Sequence, residues 1–78
     1  MRIDWQTFIS VDPEIHHGEP CIIGTRVPVS LIVGSIADGM TFDEILANYP
    51  QLNKDSIKAA LAYAANTVRR ELFLPLAS

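Results

Sequence analysis

Residues 41–64 read TFDEILANYPQLNKDSIKAALAYA, and the reading of this stretch decides the fold. Thr41 followed three residues later by Glu44 is the signature of a capping box, in which each side chain satisfies an orphan backbone N–H of a helix start. Met40 just before it is placed to staple onto Ile45. Phe42, Ile45, Leu46 and Tyr49 then fall on one stripe at helical spacing, and Pro50 ends the helix because it disfavours helical geometry at Tyr49. A second start follows at once. Asn53 is the expected N-cap, with a staple from Leu52 to Ile57. Ile57, Leu61, Ala64, Val68 and Leu72 continue as the expected core face of a helix over about 54–72. Two helices joined by a short turn are the pattern of a helix-turn-helix.

Working towards the N-terminus, SLIVGSIAD predicts a further helix over 30–38, with Ser30 as N-cap and Gly39 as the left-handed residue just past its end. Leu31, Ile32, Val33, Ile36 and Ala37 make it apolar on most sides, so it is expected to be the buried central helix. Before it, TFISV over 7–11 and CII from Cys21 are β-branched and aromatic, and read as short strands. Between them DPEIHHGEP is a run of turn formers. Pro28 forbids a central strand position for VPV. Residues 7–29 are therefore read as a small β-hairpin or paired extended arms, which must lean on the helices because two strands are marginal alone. The expected architecture is mainly α: one domain over 1–78, made of a β-hairpin arm at 7–29, three helices at 30–72 and a C-terminal tail at 73–78.

The chain has 78 residues, a net charge of −3 and 49% apolar residues. So much apolar side chain on so small a body predicts that part of it is covered by another copy or a partner, and a homodimer is expected. No apolar run approaches the roughly 18 residues of a membrane span, no signal segment is evident, and one cysteine suits a reducing cytoplasm. Charge is uneven. Residues 1–52 hold Arg2 and Arg26 against seven acids, whereas 53–78 hold Lys54, Lys58, Arg69 and Arg70 against Asp55 and Glu71.

Several side chains are candidates for function. The start of the third helix would offer Lys54, Asp55, Lys58, Ala59 and Ala62 to a DNA groove. Lysines grip phosphates or guanine, but there is no Arg, Asn or Gln here for bidentate base reading, and a plain helical scaffold with two surface lysines explains the same residues. Arg69 and Arg70 form a second basic spot, able to touch a phosphate or a partner or simply to suit the helix C-terminus. His16, His17, Glu19 and Cys21 include metal-ligand types, but the second pair of ligands that a structural zinc site needs is missing, so no metal or other cofactor is expected. No acid pair converges with a nucleophile, so no enzyme is expected. The segment Gly24-Thr25-Arg26 lacks the spaced glycines and terminal Lys-Ser/Thr of a phosphate loop. Its local reading is structural. Gly24 takes a positive φ, Thr25 bonds back to the turn, and Arg26 is free to clamp Asp12 or Glu14 or to meet a phosphate. Gly18 and Pro20 shape the same loop. Cys21 is expected to be a small buried apolar group.

Taken together, DPEIHHGEPCIIGTRVPVSLIV and DGMTFDEILANYPQLNKDSIKAALAYA resemble a small prokaryotic family catalogued as domain of unknown function four-three-three. The likeness covers residue 8 to about 66. It implies a winged-helix or homeodomain-like helix-turn-helix fold, and proteins that act as antitoxins paired with PIN-like nuclease toxins. Ile23 departs from the family, which often carries a basic residue there; the change removes a phosphate contact from the loop. On this reading Lys54, Lys58 and Arg26 are the expected contacts to operator DNA. Arg69, Arg70, Leu72, Phe73, Leu74 and Leu76 are the expected contacts to a toxin. A dimeric protein-interaction module without a DNA role is the competing expectation, favoured by the net negative charge.

Overall fold

The computed structural model describes residues 4–11, 14 and 18–73, the last three as helical backbone. A 3-10 turn, Trp5–Thr7, leads into strand β1, Ile9–Ser10. Strand β2, Cys21–Ile22, is followed by helices α1, Val29–Ala37, α2, Phe42–Asn48, and α3, Lys54–Phe73. The fold is mainly helical, with a short two-stranded antiparallel hairpin ahead of three helices.

Both caps of the 41–64 stretch form. Thr41 Oγ1 accepts from the Glu44 backbone N–H at 3.1 Å, and Glu44 Oε1 accepts from the Thr41 N–H at 2.8 Å. At α3, Asn53 Oδ1 accepts from the Ser56 N–H at 2.8 Å and from the Ser56 hydroxyl at 3.0 Å. Ser56 is buried, so its hydroxyl needs this partner. A serine doing the work of the usual Glu or Gln at that position is not visible from the capping-box pattern. Gly39 closes α1 at φ +99°, a conformation that a Cβ would strain. The α2 stripe packs inward as the spacing predicts: Ile45 is fully buried, and Phe42, Leu46 and Tyr49 pack against the core.

The hairpin is shorter than expected. Residues 7–11 supply only two paired positions, Ile9 with Ile22 and Ser10 with Cys21, because Trp5–Thr7 is wound into the 3-10 turn under an Asp4 cap. β2 is bonded on both sides. Ile23 N–H donates to Phe8 O at 2.8 Å, Ile22 N–H to Val27 O at 3.0 Å, and Val29 N–H to Pro20 O at 2.9 Å. Pro28, which has no N–H to give, sits on the outer arm opposite Cys21. The hairpin leans on α3, as two strands must, through β1 and through Trp5, whose ring meets that of Tyr63 edge-on at 4.9 Å.

Three expectations about the helices are corrected. α1 starts at Val29 with Pro28 as its N-cap, because proline's fixed φ already suits the entry; Ser30 is inside the first turn and its hydroxyl donates to the Glu19 carboxylate instead. α1 is not buried all round: Val29 and Ile32 are buried, whereas Ser30 and Ala37 are exposed. The core face of α3 is Ile57, Ala59 and Ala60, with Leu61 and Tyr63 partly covered, while Val68 is 56% exposed. The helix simply outruns the body it packs on, and α1 is only nine residues long.

Ile57 is fully buried among Ile32, Ile45 and their neighbours. Ile57→Ala is expected to cost about 2–5 kcal/mol in a urea unfolding titration. Thr41→Ala is expected to cost about 1 kcal/mol through the lost cap, with an unchanged denaturant slope.

Candidate functional site

The glycine-rich loop and the two ends of α3 carry the candidate residues. In the loop, Gly24 adopts φ +80° at an exposed tip, where any residue with a Cβ is strained. Thr25 ties the turn from both sides: its hydroxyl donates to Ile22 O at 2.8 Å and accepts from the Val27 N–H at 3.1 Å. Gly18 also takes a positive φ, +83°. Pro20 presents the carbonyl that receives Val29. These residues build a rigid turn that delivers the chain to α1. Arg26 and Ile23 are both exposed at the tip. Asp12, one of the two acids proposed to be clamped by Arg26, lies outside the described residues.

His16 and His17 also lie outside the described residues. The other two metal-ligand types have different work. Glu19 accepts from Ser30, fastening the loop to the first turn of α1. Cys21 is 4% exposed, and its Sγ–H donates to the Glu19 carbonyl at 3.5 Å. Burial pushes the thiol pKa up, and the Glu19 charge pushes it the same way. The thiol is therefore held neutral and unreactive, a small apolar plug at the centre of the hairpin.

At the start of α3, Lys54 and Lys58 are exposed one turn apart, so they share a face. Ala59 does not join them. It was expected on the exposed side and is fully buried, because a residue this small lets a neighbouring element approach the α3 backbone. Asp55 is exposed beside the lysines, and Asp43 and Glu44 are exposed in the first turn of α2. With Asp55 between the two lysines in the chain, the start of α3 is not a purely basic face. At the other end, Ala65, Thr67, Val68, Arg69 and Arg70 are all exposed. Leu72 and Phe73 continue the helix as backbone, and Leu74 and Leu76 lie outside the described residues. The two basic spots belong to one helix but not to one surface patch: about three turns, or roughly 16 Å, separate Lys58 from Arg69. Among the described residues, no group of three or more His, Cys, Asp or Glu side chains is placed to hold a metal ion, and no helix is long and apolar enough to cross a membrane.

The model of the protein family of unknown function DUF433 matches residues 9–64, the span that contains the loop, the hairpin and the packed half of α3. A crystal structure of a DUF433 member from Anabaena variabilis superposes with a TM-score of 0.73 at 32% identity, over 88% of this chain and 71% of that one. The uncharacterized protein y4eO of Sinorhizobium fredii is 37% identical over 62 residues, which is 78% of this chain. This chain spans only 28% of the length of y4eO.

The buried thiol yields a direct check. Cys21 is expected to resist a thiol reagent in the folded protein and to react fully once the chain is unfolded in urea. Its raised pKa keeps the folded protein protonated where the unfolded chain, near the ordinary value of 9.0, has begun to ionise. The unfolded state then binds fewer protons, so stability falls as pH rises through about 9. Cys21→Ala is expected to lose less stability than the parent over that alkaline window in parallel unfolding curves.

Proposed function

The chain belongs to the DUF433 family, and from that premise we propose that it is the antitoxin half of a type II toxin–antitoxin pair, acting in the cytoplasm on a PIN-like nuclease toxin. The observation that supports this is the exposure of Ala65, Thr67, Val68, Arg69 and Arg70 on the second half of α3. A helix packed through Ile57, Ala59 and Ala60 continues to Phe73, with Val68, Arg69 and Arg70 exposed. Such a stretch presents an apolar side chain beside two guanidinium groups, a combination suited to a groove rimmed with carboxylates. Nuclease sites that hold divalent metal ions are such grooves. Arg69 or Arg70 reaching those carboxylates would cover the site, and Leu72, Phe73, Leu74 and Leu76 would extend the apolar contact. No catalytic step and no cofactor is assigned to this chain.

The second part of the proposal is operator binding by a dimer through Lys54 and Lys58, with Arg26 as a flanking phosphate contact. It has a competitor with its own support. Asp55 lies between the two lysines, Asp43 and Glu44 open α2, and the chain carries a net charge of −3, a balance that opposes a polyanion. That observation favours a protein-interaction module which neutralises its toxin without touching DNA.

Coexpression of this chain with the product of the adjacent reading frame is expected to give a copurifying complex and to rescue growth that the neighbour alone arrests. Arg69→Glu with Arg70→Glu is expected to abolish the rescue while the isolated variant keeps its helical spectrum. A neighbour that is harmless alone and never copurifies refutes the antitoxin reading. Operator binding is read separately from a salt series: with DNA contact, Lys54→Ala and Lys58→Ala should each reduce the salt slope by about 1. No binding at low salt leaves the interaction module.

A further inference from the structure

The fold of a single chain leaves two helix surfaces partly open. The first is the outer face of α1. Gly34 lies mid-helix, it is not among the left-handed glycines, and a Cβ built there would meet nothing within 4 Å. Neither backbone conformation nor packing inside the chain asks for glycine at a position where alanine stabilises a helix. At helical spacing Gly34 shares its face with Ser30, Leu31, Ala37 and Asp38. That face has small side chains around Gly34 and carries a carboxylate at each end, Glu19 on Ser30 and Asp38 at the helix terminus. The second feature is the α3 stripe Ile57, Leu61, Ala64 and Val68, which begins fully buried and ends 56% exposed.

The charges on these features are opposite and segregated. Residues 27–53 contain Asp38, Asp43 and Glu44 and neither Lys nor Arg. All three acids are exposed. Arg69 and Arg70 are exposed directly beside Val68. The acidic rim excludes a nucleic acid from the α1 face. Pairing α3 side by side with a parallel copy would set arginines against arginines. A reciprocal arrangement meets neither objection, because each copy offers the apolar and cationic stretch at Val68–Arg70 and the acid-rimmed face of α1.

We propose that two copies of this chain associate reciprocally. The Val68–Arg70 end of α3 from each copy is seated on the α1 face of the other at Gly34, with Arg69 and Arg70 opposite Asp38 and Asp43. A two-fold axis makes the same contact twice and so doubles the area that each copy covers. Self-association stands apart from toxin capture and is measured on this chain alone. If the antitoxin reading also holds, the two compete, because both use Arg69 and Arg70.

The test is sedimentation equilibrium of the full chain and its variants across a salt series. The parent is expected to be a dimer that weakens as salt rises. Gly34→Leu is expected to raise the dissociation constant by more than about tenfold. Gly34→Ala serves as the folding control, since with open space around the position it should raise the Tm. Arg69→Asp with Arg70→Asp is expected to give monomers, and adding Asp38→Arg and Asp43→Arg to that chain is expected to restore the dimer. A parent that is monomeric at about 100 µM, a dimer indifferent to Gly34→Leu, or a charge reversal that fails to restore association each overturns the proposal. A monomeric parent that still rescues growth in coexpression would sink this inference and leave the antitoxin reading standing.

Discussion

Ile57, Ala59 and Ala60 of α3 lie fully buried in one cluster with Ile32 of α1 and Ile45 of α2, and the rest of the molecule depends on that packing. A nine-residue helix and a seven-residue helix are too short to persist alone in water, so both borrow their stability from the contact with α3. The alanines matter because they are small. Close approach of α1 to the α3 backbone lets the isoleucines reach one another, each fully buried large side chain contributing about 1.5–3 kcal/mol. The hairpin, with two paired positions, rests on the same helix through β1 and Trp5.

The loop that looks most like chemistry turns out to serve this packing. Gly24 and Thr25 set a tight turn, Glu19 ties the loop to Ser30, and Pro20 receives the first N–H of α1. Cys21 is sealed beneath them. A loop with so many internal bonds and a neutral thiol is built to deliver α1 at a fixed angle. The exposed chemistry of the described residues lies elsewhere, with Asp38 at the end of α1 and Arg69 and Arg70 on the second half of α3.

Much of this was legible in the residues. Thr41 with Glu44, Asn53, Pro50 and Gly39 are local punctuation, and each acts through its own backbone neighbourhood, so the helix boundaries at 41–54 were readable without the fold. The Phe42, Ile45, Leu46 and Tyr49 stripe was readable for the same reason. Ser30 misled because a serine two residues after a proline has two uses, capping the helix or bonding to a carboxylate, and only the position of Glu19 chooses between them. The Ser56 hydroxyl was missed because its partner is earned by burial rather than by pattern.

The candidate surfaces divide in the same way. That the C-terminal helix is long, apolar along one stripe and cationic near its end follows from the residues alone, because periodicity and charge are properties of the chain. Where that stripe stops being core depends on the packing of the other helices. Ala59 went inside and Val68 stayed outside because α1 and α2 cover the first half of α3 and nothing in the described chain reaches the second. The same holds at Gly34, which reads as an ordinary helix glycine until the surrounding space is seen to be empty. Burial is a relation between distant segments, and no local signal in either segment carries it.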